Sequence, residues 1–553
     1  MLFSVSGIHA RRMVGTLMLA VLPLVGFAQD ERFSIARYQV EGNTLLPQAE
    51  IDAMLAPMTG ARRVYGDIQK ALETLEAAYR RRGYGTVQVH VPEQELANGT
   101  VRLQVIEATL GKITVGDNHY FDDTNVLAGL PSLRVGQVPN LPALSQNIQL
   151  SNENPAKQVE VILGAGEREG QVDAKVTVTE VSPQRVFATA DNTGTAATGK
   201  WRTGVAWQHA NLFNRDHVMT LAYTTSPDSP GNVDVNLFSV GYRVPLYSLG
   251  DSIDVIFGKS SVIAPCYTPT LGGSLCIVGK VTIFGLRWNH HFPRRGHQSD
   301  KLVIGIDQKY SDARCSFNGV PFSIDPPTPP VASCVPYTTT PVSAVWSTRH
   351  LSPGQALDLN FGLAWNIPTG TRYTNTNGKV DRYSYLNPGS RNTRDDFRIL
   401  RAGVNWLKAL PSDWQLKASA NLQYSRMPLV AVEQIGLAGS HAVRGFAERA
   451  FAADSGYLLN LEWYTPELAA RAGLPGSLRL MTFQDLAGGY NSNTAGTTVP
   501  RNGTIASMGA GLRYASGRDV AIRADLARIV ANGPLTQERI GHWRAHVAVL
   551  IGF

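Results

Sequence analysis

Past residue 28 the chain has no apolar run approaching the ~20 residues that a membrane-spanning helix needs, which excludes a helical membrane protein. Charged residues are scarce too, at 17% of 553, against the roughly one quarter usual in soluble domains. That argues against a cytosolic enzyme. No GxxxxGK[ST], HExxH or GxSxG pattern occurs, and the twelve histidines are scattered, so no enzyme activity, metal site or cofactor is expected. His290 and His291 are adjacent and would point to opposite faces of a strand. The formal charge of +7 is modest for this length, and no basic run is interleaved with aromatics, so nucleic acid is not an expected partner. What the chain does have is 43% hydrophobic residues and 52 glycines. Low charge, no spanning helix and abundant glycine suit a large β protein.

Residues 1–28 carry Arg11 and Arg12, then an apolar run from Met13 to Phe27, and end on Gly26-Phe27-Ala28 with small residues where a signal peptidase reads. This is the pattern of a secretory signal peptide. The Arg-Arg pair would also fit a twin-arginine signal, but an ordinary positive leader is the simpler reading. The mature protein is expected to start near Gln29, outside the cytoplasm.

From residue 33 to about 180 helical periods alternate with short strands. Ile68, Leu72, Leu75 and Tyr79 recur at helical spacing, and Arg80-Arg81-Arg82 before Gly83 suits the end of that helix. Strands are expected at Val87–Val91 and Val101–Ile106. The order strand, helix, helix, strand, strand then repeats through 112–115, 123–130, 141–150, 159–163 and 172–178. Two α+β modules in tandem, 29–108 and 109–182, are the economical reading.

Residues 183–553 read as alternating strands. On the last, Trp543, Ala545, Val547, Val549, Ile551 and Phe553 share one face and His542, Arg544, His546, Ala548, Leu550 and Gly552 the other, an apolar and a polar face ending on an aromatic. Sixteen strands are expected, starting near 185, 199, 216, 232, 251, 281, 299, 340, 355, 396, 413, 457, 477, 504, 518 and 542. Every second connection is short, and those between are mostly long, notably 263–280, 312–339, 368–394, 428–456 and 488–503. Short turns on one side and long loops on the other are the signature of an outer-membrane barrel. All four cysteines fall in two of the long loops, Cys266 with Cys276 and Cys315 with Cys334. Local disulfides are expected there, on the oxidising side, because the ligand spacing of a metal site is absent.

The loop at 428–456 contains Gln434-Ile435-Gly436-Leu437-Ala438-Gly439-Ser440-His441-Ala442-Val443-Arg444-Gly445-Phe446. Glycines permit tight backbone turns, and Arg444 offers a rigid donor fork that calls for a carboxylate. Asp485 is the nearest candidate borne on a strand, on one face with Arg479, Met481 and Phe483. Glu433, Asp454 and Glu462 are rivals.

Several motifs resemble known families. Arg82-Gly83-Tyr84, Val91-Pro92-Glu93-Gln94 and Val105-Ile106-Glu107 look like a periplasmic POTRA domain, with Ala108 where that family usually has glycine. Asn152-Glu153-Asn154-Pro155 and Gly166-Glu167-Arg168-Glu169-Gly170 look like a second one. Val443-Arg444-Gly445-Phe446 resembles the lumen-loop motif of the POTRA-plus-barrel superfamily, and Phe483-Gln484-Asp485 its inner-wall motif. Asp191-Asn192-Thr193-Gly194, Thr198-Gly199, Arg202, Asn211-Leu212-Phe213 and Asp216 look like the barrel opening of two-partner secretion transporters, the haemolysin and filamentous haemagglutinin secretion-activation (TpsB) family. The resemblance spans nearly the whole mature chain. It implies two POTRA domains in the periplasm and a 16-stranded antiparallel transmembrane barrel, built through its terminal Phe553 by the barrel-assembly machinery and embedded in outer-membrane lipid. It implies export of an unfolded TpsA-type secreted partner, an adhesin or haemolysin. A barrel-assembly insertase of the same superfamily is the alternative, and a passive porin, which would need no periplasmic arm, comes third. Some members have an N-terminal helix that plugs the pore. With cleavage near Gln29, Gln29-Asp30-Glu31-Arg32 would be too short for a plug or a linker, and the loop around Val443-Arg444-Gly445-Phe446 is then expected to be the sole large occupant of the lumen.

Overall fold

The computed structural model describes residues 32–95, 97–196, 198–228, 235–261, 280–312, 316–317, 320–321, 335–374, 378–386 and 391–553. The expected signal peptide, 1–28, and Cys266, Cys276, Cys315 and Cys334 lie outside the described residues.

Among the described residues, 32–81 and Val87–Glu107 form one compact unit. Its helices, Gln48–Leu55 and Tyr65–Arg81, accompany a sheet in which Arg37–Glu41 runs parallel to Thr100–Ile106 and Gln88–His90 antiparallel to it. The long helix buries Ile68, Ala71, Leu75, Ala78 and Tyr79, a stripe at helical spacing that removes apolar area from water. Leu72, expected on that face, is only half-buried. Phe33–Ile35 pairs with Gly60–Arg63, a strand pair too short for alternation to reveal. Glu107, at the end of the last strand, accepts hydrogen bonds from the backbone of Thr44 (2.8 Å) and Leu45 (3.0 Å) and from the Tyr79 hydroxyl (2.8 Å). Burial alone would raise its carboxyl, but the bonds from Thr44, Leu45 and Tyr79 outweigh it and hold the group below the usual carboxylate range.

The second unit contains Arg82–Thr86 and Ala108–Phe553. Its N-terminal part repeats the first topology: Thr109–Gly116 parallel to Gln171–Glu180, Lys157–Ala165 antiparallel to it, and helices Asp123–Ala128 and Leu141–Ser151 between. Asp122 and Asn140 cap those helices through their side chains. The repeat reaches individual residues. Glu180 ends the last strand as Glu107 does in the first unit, and accepts from the backbone of His119, Tyr120 and Phe121 in the equivalent loop.

The remainder is a closed antiparallel barrel of sixteen strands. In order they are Gln184–Asp191, Arg202–Leu212, His217–Thr225, Asn236–Leu246, Asp251–Ser260, Val281–His291, Gln298–Ser311, Tyr337–Thr339 continued by Pro341–Ser352, Gln355–Asn366, Arg398–Ala409, Gln415–Tyr424, Ser455–Tyr464, Ser477–Tyr490, Asn502–Ser516, Val520–Ala531 and Trp543–Gly552. The eighth breaks at Thr340 because Pro341 has no N–H to donate. The second starts at Arg202 rather than 199, since the Arg202 guanidinium binds the Gly199 carbonyl at 2.9 Å and the Thr198 hydroxyl at 2.8 Å and holds that stretch as a turn. Closure pairs the sixteenth strand with the first, from Ala548↔Asp191 to Gly552↔Phe187. Phe553 exchanges backbone bonds with Val186 across that seam, and Asn192 stitches it further by bonding Ala545 and Val547. Alternation holds around the wall: Trp543, Ile551 and Phe553 face outward and exposed, while His546 is buried inside. A closed wall leaves no unpaired edge, which lipid requires.

The short connections 213–216, 247–250, 292–297, 353–354, 410–414 and 517–519 share one rim. The turn 465–476 lies on that rim too but is longer and carries a 3-10 turn at Ala470–Ala472.

Candidate functional site in the barrel lumen and at its inner rim

Arg444 is 2% exposed. It forks onto Asp485 of the thirteenth strand, with Nε to Oδ2 and Nη2 to Oδ1 both at 2.7 Å, while its own backbone N–H reaches Oδ2 at 3.1 Å. Its remaining nitrogen, Nη1, bonds Glu462 of the twelfth strand at 2.8 Å and lies 3.7 Å from Asp525 of the fifteenth. The guanidinium stacks 3.6 Å above the Phe483 ring centroid, so one face is apolar and the edge is fully bonded. Asp525 is also held by Arg513 and Arg523, each at 2.7 Å, and Glu462 by Lys417 at 3.3 Å and the Tyr464 hydroxyl at 2.7 Å. Three carboxylates therefore face four cations, a near balance that a buried cluster needs.

The loop is shaped to present that guanidinium. Gly439 and Gly445 have φ of +127° and +93°, a region costly for any residue with a Cβ. A Cβ on Gly439 would run into the Glu448 carboxylate, and one on Gly445 would sit 3.3 Å from Ala527 Cβ on the wall. Val443 and Phe446, flanking Arg444-Gly445, are fully buried with Leu437 and Phe451 against Leu458, Ala487, Ile505 and Ile529 of the wall. Asn460 donates to both the Ala442 carbonyl (3.0 Å) and Asp485 (2.8 Å), and His546 Nε2 accepts from the Gly445 N–H at 2.9 Å.

The structure thus brings Val443, Arg444, Gly445 and Phe446 together with Phe483 and Asp485. Glu462 is a second partner of Arg444 and not an alternative to Asp485. Glu433 and Asp454 do not touch Arg444: Glu433 binds Lys309 and Thr339, each at 2.9 Å, and Asp454 binds Arg391 at 3.0 Å. Sequence reasoning missed Asp525, Arg513, Arg523, Asn460 and His546. The inward register of their strands was the available signal.

Two other motifs prove to be halves of one joint. Glu153 of the second α+β module accepts from Arg243 (2.8 Å), His291 (2.8 Å) and Lys301 (2.9 Å), borne on the fourth, sixth and seventh strands. Burial would raise the Glu153 carboxyl, but the His291 bond and the Lys301 and Arg243 charges outweigh it and hold the group well below the usual carboxylate range. Asn154 donates to the Ala210 carbonyl at 2.7 Å. Lys157, buried over the Phe121 ring, bonds Asp216 and Asn125, and Tyr247 donates to the same Asp216. Burial depresses the Lys157 ammonium, with Asp216 opposing. Asn152-Glu153-Asn154-Pro155 and the Asn211-to-Asp216 turn meet here, so the rim of short turns faces the module and the long loops face the other way.

A closed barrel with a charge-locked lumen loop and an α+β module seated on its short-turn rim defines an outer-membrane POTRA-plus-barrel protein. Comparison with known proteins narrows this. Residues 170–514 match the family model for haemolysin secretion/activation protein ShlB/FhaC/HecB, and residues 33–108 match the POTRA domain, ShlB-type. The chain belongs to the ShlB/FhaC/HecB family, with its barrel in the outer membrane and its POTRA region in the periplasm. Among curated relatives, an outer membrane transporter CdiB of Dickeya dadantii is 22% identical over 80% of this chain and 74% of its own length. A heme/hemopexin transporter protein HuxB of Haemophilus influenzae is 21% identical over 94% and 87%, and the hemolysin transporter protein ShlB of Serratia marcescens 24% over 87% and 79%. The solved CdiB from Escherichia coli superimposes with a TM-score of 0.73 at 20% identity, covering 97% of this chain and 93% of that one. CdiB from Acinetobacter baumannii gives 0.67 at 14% identity, covering 98% and 94%. The family is one of outer-membrane transporters of secreted partner proteins.

Proposed function

We propose that this chain exports one large secreted partner of adhesin or haemolysin type, unfolded, from the periplasm to the cell surface. The observation that carries this reading is Arg444, buried in the lumen and bonded at every nitrogen by wall carboxylates. Such a lock holds a removable obstruction inside an otherwise continuous barrel. Residues 29–108 and 109–182 act as the two POTRA domains and 183–553 as the pore. An extended substrate offers backbone groups, and the sheet of the second module has an open edge at Lys157–Ala165, where Ile162 is 56% exposed. Strand addition there is the expected capture mode. The reading involves no catalysis and no cofactor. The driving free energy is then the substrate's own folding outside. Phe553, at the seam, serves as the recognition end for the barrel-assembly machinery.

The test is deletion of the chain from its native host, followed by surface proteomics. Loss of one large secreted protein, restored by the wild type and not by Arg444→Ala, is the expected result. Normal secretion with depleted outer-membrane barrels would instead support the insertase reading.

A further inference from the structure

A second buried arginine is not accounted for by the lumen lock. Arg391 is 2% exposed and Asp454 0%. They form a fork, Nη1 to Oδ2 and Nη2 to Oδ1 at 3.0 Å each. Asp454 further accepts from the backbone N–H of Leu429 (2.9 Å), the Gln434 side chain (3.0 Å) and the backbone N–H of Ser492 (2.9 Å). Arg391 in turn donates to the Ser492 carbonyl at 2.8 Å. One carboxylate thus ties together three of the long connections: the one before the tenth strand, the lumen loop's own base, and the one after the thirteenth. Beside it Tyr383, Phe397, Leu429 and Val430 bury one another with Ile399 and Ala364 of the wall. An apolar core and a five-bonded carboxylate have no place in a permanently open aqueous mouth, because burying Asp454 without those donors would be costly.

We infer that Asp454 and Arg391 form an outer latch, and that the lumen loop leaves the pore only when this latch and the Arg444 lock have both broken. The loop is held at its tip by Arg444 and at its base by Asp454, ten residues apart in sequence and on different partners. Breaking the tip alone leaves the base pinned to two neighbouring loops. Breaking the base alone leaves the tip clamped to the wall. Asp454 and Arg391 are positioning residues: they act on passage through the loop they hold. The inference rests on the transport reading for its purpose, but the latch itself can be measured without any substrate.

The experiment is single-channel recording of the full-length protein in planar bilayers, comparing wild type, Arg391→Gln, Asp454→Asn, Arg444→Ala and the Arg391→Gln/Arg444→Ala double variant. Heat-modifiable migration on gels verifies that each barrel is assembled. Each single variant should raise the fraction of time spent in the large open state tenfold or more, with the size of that opening unchanged. The double variant should approach the product of the two increases, because both locks must break. Assembled Arg391→Gln and Asp454→Asn proteins with wild-type opening would overturn the latch. So would a double variant no more open than Arg391→Gln alone, since the tip would then hold nothing. Should Arg391→Gln not assemble, Arg391→Lys, which keeps the charge and loses the fork, takes its place under the same criteria. Failure of the wild-type protein to export any partner while these openings behave as expected would count against the transport reading and leave the latch standing.

Discussion

Arg444 is fixed by the wall on every side it offers. Its three bonding nitrogens and its ring-stacked face are all satisfied by the wall, so removing either partner strands a charge in a confined site. Losing one member of such a buried pair costs about 3–5 kcal/mol. Arg444→Ala and Asp485→Ala should each lower the thermal midpoint of the assembled barrel, and the double variant should fall short of the sum by ~0.5–3 kcal/mol. Strictly additive losses would mean that the two groups do not depend on each other. At the inner rim, Glu153 answers to pH. Its folded-state pKa is depressed, so its contribution is complete above the unfolded value of ~4.3 and is lost as pH falls through the folded value. The gap in thermal midpoint between wild type and Glu153→Gln should be constant from neutral pH to about 5 and shrink below ~4.3. A gap that widens on acidification would exclude this account.

At the scale of elements, the lumen loop behaves as a small folded body. It has its own hairpin, Ile435–Gly436 with Ala452–Ala453, and its own apolar core against the wall. Gly445 packs its backbone against Ala527 and Ile529 of the fifteenth strand, at a φ of +93°. Gly445→Ala should therefore displace the tip, costing at least the ~1 kcal/mol of a positive-φ alanine, and loosen the Arg444 fork. Protection of the Arg444 and Gly445 amides in hydrogen exchange is the direct measure, and wild-type protection in Gly445→Ala would show that the contact tolerates a methyl group. The second α+β module is coupled to the barrel in another way. Its contacts run through Glu153, Asn154 and Lys157 to strand ends and the 213–216 turn at the short rim, whereas its edge strand Lys157–Ala165 stays open beyond the docked end. One strand thus both anchors the module and presents the edge proposed for capture.

For the molecule as a whole, the proposed function makes the barrel the passage and the loop its obstruction. Deleting residues 434–452 should enlarge conductance in planar bilayers and abolish export, because the deletion takes away Arg444 and the tip that meets the twelfth, thirteenth and fifteenth strands. Unchanged conductance would show that something other than this loop occupies the lumen.

Much of this organisation is written locally. Period-two alternation marks the strands, the succession of short and long connections gives the two rims, and the repeated order of helices and strands gives the two modules, since each depends on neighbours within a few residues. Val443-Arg444-Gly445-Phe446 and Asp485 are likewise visible as motifs. What alternation cannot say is which inward side chains meet across the chain. Asp525 and Glu462 join Arg444 only because closure sets the twelfth, thirteenth and fifteenth strands around one loop tip. Glu153 finds Arg243, His291 and Lys301 only when the module is seated on the rim, and Asp454 finds Arg391 only when three loops fold inward. A buried charge is stabilised by the sum of its close partners. Those partners lie up to about 150 residues away along the chain, so their identity is a property of the closed, docked structure.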